Sequence, residues 1–540
     1  MKTKYIFVSC LASVLAFSGC QEIDTFPEGN NTVTSAQKDE IAKLDPTKLE
    51  AGVNAIYAQL NQYMPNKGAL GMERHNDIGY PSVMLFTESN GSDMVSDNNG
   101  YNWMGGSLTF EDRIYTSAES QMIWNNLYGL IYTSNNVIVS IPETEDITSV
   151  NKKFLGQAYA ARSFGYFLLA QLFQFNYVNH ESAPCVPLVT DKNREDVLQN
   201  GAPRATVEQV YQQINSDLNK SIELLSAAEA DKQSRADRRY IDSSVAYGLR
   251  ARVNMTMQRW KEALADATKA IELSDATPAG LQDVNKPTFW SMDEKDWMWG
   301  IKVVETDRVV TSGIVNWPSH MGSLCNGYAN YSQGMQINKK LFASIPESDV
   351  RKGWWLNDSL QSPNLTREDQ KAWMAKYYKK PYTQVKFGPY NDMVGQGTNA
   401  NDIPLMRIEE MYLIKAEAEA MAGNPAAGKT TLENFVKEYR DPSYKCTAAS
   451  ASDVQEAVYF QRRIELWGEG LGWYDIMRLN KGIDRRGAGY PNATSIFNIP
   501  AGSDILLWRI PEKEIQANKA LSDSDNNPAA PLPTPIADNK

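Results

Sequence analysis

The sequence predicts a mostly α-helical fold built from short antiparallel helix pairs that support long, aromatic-rich loops. Three observations lead there. Apolar and small residues recur at three- and four-residue spacing along much of the chain, while alternating runs that would mark strands are few. Alanines cluster on the inner faces of neighbouring helical segments, where they permit close approach. The stretch Trp290 to Lys386 breaks the pattern, being dense in Trp, Tyr, Gly and Pro without helical period, and reads as loops laid over a scaffold.

The N-terminus is a secretory signal. Lys2 and Lys4 precede an apolar run from Tyr5 to Phe17, and Ser18 and Gly19 stand directly before Cys20. The run is too short to span a bilayer, which takes ~20 apolar residues. Cys20 sits where bacterial lipoproteins carry their acylated first residue, between an apolar core and a polar stretch. The expectation is a signal peptide over 1–19, a lipid-attached tether over 20–45, a helical body over 46–520 and a loose C-terminal tail over 521–540. The tail follows from its Pro, Asp and Asn content.

Within the body, 42% hydrophobic and 22% charged residues supply a large core, and no internal linker divides it. One helix pair is Phe154 to Phe175 with Val207 to Leu225. A second is Ser244 to Leu273, turning at Met257 to Arg259, with Trp260, Ala263, Leu264, Ala267 and Ile271 on one face. A third joins Leu405–Met421 to Ala426–Tyr439 through Gly423-Asn424-Pro425. Such pairs look tetratricopeptide-like, dispersed along the chain and not in tandem.

A net charge of -11 excludes nucleic acid as a partner, because phosphate neutralisation needs clustered Lys and Arg. Cys185, Cys325 and Cys446 have no metal-type spacing, and His75, His180 and His320 are far apart, so neither a metal site nor a cofactor is expected. The oxygen-rich runs around Asp97 and Asp523 complete no calcium loop and read as solvated turns.

The segment Gln461 to Leu479, QRRIELWGEGLGWYDIMRL, resembles the R-R-x-E-L-x-G-E-G-x-x-x-x-D-x-x-R signature of the SusD/RagB outer-membrane nutrient-binding lipoproteins. Ile403 to Ala420, with Arg407, Glu410, Leu413, Ala416 and Glu417, is similar to that family's I-P-L-x-R-x-x-E-x-x-L-x-x-A-E-A segment. Ile510-Pro511 with Glu514, Ile515 and Asn518 matches its closing motif. Trp124, Tyr128, Ile131 and Asn135 or Asn136, and Ala160 to Phe173 followed by Val186-Pro187-Leu188, fit its early helices. The resemblance implies a SusD-like helical fold with ligand-contacting loops, attachment to the outer membrane of a Bacteroidetes-type bacterium, and no catalysis. It further implies a SusC-like TonB-dependent transporter as partner, capped by this chain as a hinged lid. The ligand would be a glycan or oligosaccharide, or alternatively an oligopeptide.

Two motifs compete with that reading. Gly423 to Thr430 spells the G-x-x-x-x-G-K-T phosphate loop, but an Ala/Glu helix precedes it where a buried strand is required, so it reads as a helix C-cap followed by a Pro-started helix. Glu465 and Glu469 could be nominated as a hydrolase acid and base. Catalytic carboxylates must flank a sugar, however, and two residues four apart on one helix face do not, so an ion-pair lattice with the neighbouring arginines is the expectation.

Flat rings beside amides suit the C–H faces of sugars. Trp124, Trp260, Trp467 and Trp473 fall on helical patterns and are assigned to the core, whereas Trp103, Trp297, Trp299, Trp317, Tyr328, Tyr331, Trp354 and Trp355 lie in polar, glycine-bearing stretches. The candidate ligand contacts drawn from family position are Asp93, Asn102, Trp103, Trp299 and Trp317.

Overall fold

Helix α1 (Pro46–Gln59) begins the part of the chain whose structure is described by a computed structural model, namely residues 46–99, 101–143 and 147–539. Cys20, the signal segment and the tether lie outside the described residues. Residues Leu49–Lys540 form one unit. Helix α2 (Tyr80–Asn90) is buried along its whole length.

The pairs follow. Helix α3 (Ala118–Ser140) is capped by Ser117, which accepts from the Ser120 amide, and α4 (Ser149–Phe173) by Thr148 in the same way. Helix α5 (Val207–Ala230) starts with a reciprocal capping box between Thr206 and Gln209. Asp242 caps α6 (Ser243–Thr256), which turns at Gln258 (φ 56°) into α7 (Trp260–Leu273). Helices α8 (Ile408–Met421) and α9 (Pro425–Tyr439) are joined by Gly423 (φ 104°), with the Asn424 side chain accepting from the Ala427 amide. The phosphate-loop spelling is therefore a helix–helix turn. A Cβ at Gly428 would lie 2.3 Å from the Ala416 carbonyl oxygen, so glycine sets the close approach of this pair. Ser450 caps α10 (Ala451–Glu465), and α11 (Gly472–Arg478) follows.

Although the pairs are dispersed in sequence, they are neighbours in space. Helices α3 to α8 pack each against the next, and α9 and α10 close on α8. Burial of one stripe of each helix against its neighbour stabilises the array, at about 25 cal/mol per Å² of apolar surface removed from water.

Two expectations about elements need correction. Leu405 to Arg407 is not helical: Ile403–Arg407 is a strand, pairing antiparallel with Trp297–Ile301, and the helix begins only at Ile408. Pro404 favours this extended entry because it disfavours helical backbone in the residue before it. The tail is also not loose throughout. Asn527 is 4% exposed and its side-chain amide donates to the carbonyls of Phe173 and Trp508, both at 2.7 Å, while the Ile536 amide donates to the Ile496 carbonyl. Among the described residues no helix is long and apolar enough to cross a membrane.

The helices and the loops meet on a buried lattice of charges. Glu465 accepts from Arg351 (3.1 Å), Arg407 (3.0 Å) and Arg440 (2.7 and 2.8 Å). Glu469 accepts from Arg407 (2.8 and 2.9 Å) and from Lys386 (2.6 Å). The Lys386 ammonium also donates to the carbonyls of Glu465 and Trp467, both at 2.9 Å. Asp475 bridges Arg462 and Arg478, each at 2.7 Å, and Arg478 continues to Glu417. Burial alone would push Glu465, Glu469 and Asp475 up. The cations beside them outweigh it and hold all three below the usual carboxylate range.

Removing one partner leaves the others charged and unpaired in the interior. Glu465→Gln is therefore expected to cost about 3–5 kcal/mol in urea denaturation. Because these carboxyls ionise more readily folded than unfolded, their contribution is complete above pH ~5 and is lost as the pH falls through their depressed values. Circular dichroism against pH should show acid unfolding setting in below about pH 4.5 for the wild type. The Glu465→Gln protein should show a smaller loss of stability over the same range.

Candidate ligand-binding face

The five sequence-derived contacts do not form one site. Trp299 lies in the strand Trp297–Ile301, is 1% exposed, donates its indole N–H to the Arg239 carbonyl (3.0 Å) and packs edge-on against Phe164. Trp317 opens the short helix Trp317–Met321, is also 1% exposed, and meets Phe387 edge-on at 4.9 Å. Both are core residues, and a ligand cannot reach them. Their polar, glycine-bearing surroundings misled because the apolar groups that cover them come from elsewhere in the chain.

Asp93 is half-buried and grips the Arg463 guanidinium with both oxygens (2.8 and 2.5 Å), while its carbonyl accepts from the Trp467 indole (2.9 Å). It braces the loop to α10. Asn102, 7% exposed, donates to Ser96 Oγ (3.0 Å) and to the Asp97 carbonyl, and accepts from the Met104 amide (3.1 Å). Both donors of its amide are spent on shaping the loop, so Asn102, buried, holds the turn that carries Trp103.

Trp103 does reach the surface. Its half-buried ring lies over His75 (4.8 Å, 31°), with the Arg74 guanidinium at 5.8 Å and Tyr328 edge-on at 6.0 Å. The Asn76 amide holds its carbonyl at 2.7 Å. Arg74 is fixed from behind by Glu119, and His75 Nδ1 contacts the Tyr328 hydroxyl. His320 stacks under Tyr328 (5.0 Å, 16°), with Nε2 3.0 Å from the His75 carbonyl. Burial pushes His320 down to about 4, so near neutrality it is uncharged and donates from Nε2.

Beside this packed cluster stand the two residues that sequence reasoning passed over. Tyr101 and Tyr331 are 57% and 61% exposed, and their rings stack on each other at 5.1 Å and 27°. Tyr331 is one of the loop aromatics, and neither ring is among the five candidate contacts. The signal was there in Asn99 and Gly100 before Tyr101 and in Ser332-Gln333-Gly334 after Tyr331, since turn-forming polar neighbours keep a ring outside the core. Tyr101 and Tyr331 thus form an exposed pair of rings, Tyr101 lying two residues along the loop from the half-buried Trp103, which packs on His75, Arg74 and Tyr328. This ringed face can stack against flat apolar surfaces of a ligand.

Glu465 and Glu469 are buried and each is ion-paired, which removes them from a face and from acid–base work. Among the described residues no three His, Cys, Asp or Glu side chains are grouped to hold a metal ion.

Comparison with known proteins now fits this architecture. Residues 48–255 match a SusD-like family model described as starch-binding and associating with the outer membrane, and residues 328–529 match the SusD family model. The SusD-like protein P38 of Formosa agariphila is 21% identical over 431 residues, covering 69% of this chain and 74% of that protein. The SusD-like protein P2 of the same organism is 24% identical over 443 residues, covering 75% and 79%. Among solved structures, a SusD-like carbohydrate binding protein from Bacteroides vulgatus superposes with a TM-score of 0.73 at 22% identity, covering 89% of this chain and 97% of that one. A SusD superfamily protein from Bacteroides thetaiotaomicron gives 0.68 at 19% identity, covering 89% and 99%. With its motifs, its stacked helix pairs and these matches in agreement, the chain belongs to the SusD/RagB family.

Proposed function

We propose that this protein is a non-enzymatic, cell-surface nutrient-binding lipoprotein. It is held at the outer membrane through an acylated Cys20, captures a glycan or oligosaccharide, and passes it to a SusC-like TonB-dependent transporter as that barrel's lid. The reading draws on family membership, on the model description of starch binding at the outer membrane and on the carbohydrate binding protein that shares the fold. The observation that carries it is the exposed stack of Tyr101 and Tyr331 beside Trp103.

Magnitudes shape the mechanism. A ring stack adds ~0.5–1.5 kcal/mol, by analogy with aromatic pairs, so three rings supply roughly 3 kcal/mol. That falls short of the ~4 kcal/mol of a millimolar site. Hydrogen bonds to hydroxyls must add to it, and a ligand held between lid and barrel favours closure only through the extra contacts it makes there.

Alanine substitution of Tyr101, Tyr331 or Trp103 should weaken glycan binding roughly two- to tenfold each in calorimetric titration, with the melting temperature little changed for the two tyrosines. Trp299→Ala and Trp317→Ala should instead cost about 3–5 kcal/mol of stability. Unaltered affinity in all three face variants would remove the face from the mechanism. Binding of oligopeptides and of no glycan would transfer the role to peptide uptake. In cell fractionation, Cys20→Ser should move the protein out of the outer-membrane fraction, since stable attachment takes the acyl chains. Retention there would refute the anchor.

A further inference from the structure

We infer that the cleft between α1 and residues 300–309 is a second subsite for the same ligand, shaped for a sugar unit bearing a carboxylate or a sulfate ester. The inference rests on the glycan-binding reading. The cleft measures about 770 Å³, within the ~300–1,000 Å³ usual for ligand pockets, and Asn54, Asn61, Gln62, Tyr63, Lys302 and Arg308 line it.

In a protein of net charge -11, this cleft gathers three cations, Arg239, Lys302 and Arg308, against one lining carboxylate, Asp307, which accepts from the Val304 amide (2.9 Å). Two of them are engaged, Arg239 by Asp237 (3.0 Å) and Lys302 by Asp402 (3.2 Å). Arg308 is exposed, its guanidinium lies 4.6 Å over the Tyr63 ring, and among the described residues it makes no ion pair within 4 Å. The Tyr63 ring holds the Arg308 guanidinium by a cation–π contact, and the paired N–H groups of the guanidinium match the two oxygens of a carboxylate or sulfate. Asn54 accepts from the Tyr240 hydroxyl (2.7 Å) and Gln62 donates to Gln59 (3.0 Å), which leaves the Asn54 NH2, the Gln62 oxygen and the half-buried Asn61 amide to pair hydroxyls.

The cleft also shares backbone with the ringed face. The Met64 amide, next to Tyr63, donates to the Asp77 carbonyl (2.8 Å), and the segment leading to Asp77 carries Arg74 and His75 beneath Trp103. The two sites thus share the backbone of residues 63–77, and the ligand inferred here is one oligomer with an acidic unit at Arg308.

The test is titration calorimetry on the whole protein with three probes: a galacturonate tetramer, a sulfated galactose tetramer and the neutral galactose tetramer. Arg308→Ala should weaken the acidic probe that fits by roughly tenfold or more and flatten its salt dependence, while the neutral tetramer changes less than about twofold. Which acidic probe responds identifies the substituent. Tyr331→Ala should weaken acidic and neutral probes alike. If Arg308→Ala leaves both acidic probes unchanged, or weakens all three equally, the subsite is refuted while the ringed face stands. If no tetramer binds the wild type and a carboxylate-ended oligopeptide does, the glycan reading falls and this inference with it. Arg308 is a surface residue, so the variant should melt with the wild type, which separates lost binding from lost folding.

Discussion

The buried pairing of Glu465 and Glu469 with Arg351, Lys386, Arg407 and Arg440 is the constraint on which the rest of the structure depends. Burying an ion costs several kcal/mol even after relaxation, and replacing such a lattice by well-packed apolar residues is often neutral or stabilising. Its value here is geometric. Arg407 ends a strand, Arg440 ends α9, Glu465 ends α10, and Arg351 and Lys386 come from the loop-rich stretch. No helix packing rule would register those loops on the array, whereas directional charged hydrogen bonds do.

From the lattice the order is passed outward by contact. Lys386 precedes Phe387, whose ring packs against Trp317, and the short helix begun by Trp317 carries His320 under Tyr328. Tyr328 in turn starts the helical turn Tyr328–Ser332 that presents Tyr331. On the other side Asp93, held by Arg463 of α10, fixes the start of the loop that ends in Tyr101 and Trp103. The face is thus made of loops, but both of its loops are anchored at the same charged end of α10.

The helix pairs were legible in the sequence because their information is local: alanine stripes, caps such as Thr206 and Asn424, and a Pro-started helix all act within a few residues. Asp475 with Arg478, three apart on α11, was legible for the same reason, whereas Arg462 and Arg463, expected to pair with Glu465 and Glu469, pair with Asp475 and Asp93 instead. The partners of Glu465 were not legible, since Arg351, Arg407 and Arg440 arrive from three other elements. Asp93 was read as a ligand contact because its true partner stands 370 residues away. Trp299 and Trp317 failed likewise: glycine and polar neighbours describe the backbone around a ring, while burial is decided by what packs on it. Of the chosen contacts only Trp103 lies at the face, and the exposed tyrosines beside it follow from turn chemistry that was present but unweighted.

On the proposed reading, exposed rings and a cleft whose Arg308 makes no ion pair within 4 Å among the described residues are each weak alone. Their connection through residues 73–77 changes the arithmetic, because once one end of an oligomer is bound the other end is presented to its subsite at an effective concentration that reaches the millimolar range for short flexible connections. Affinity can then rise by orders of magnitude for a chain long enough to cover both, with no new contact made to either end. Short fragments gain nothing from this, and neither do the monomers left after digestion. On the proposed function, a holder built in this way selects for length before it selects for sugar identity, because its scaffold positions weak contacts at fixed separation.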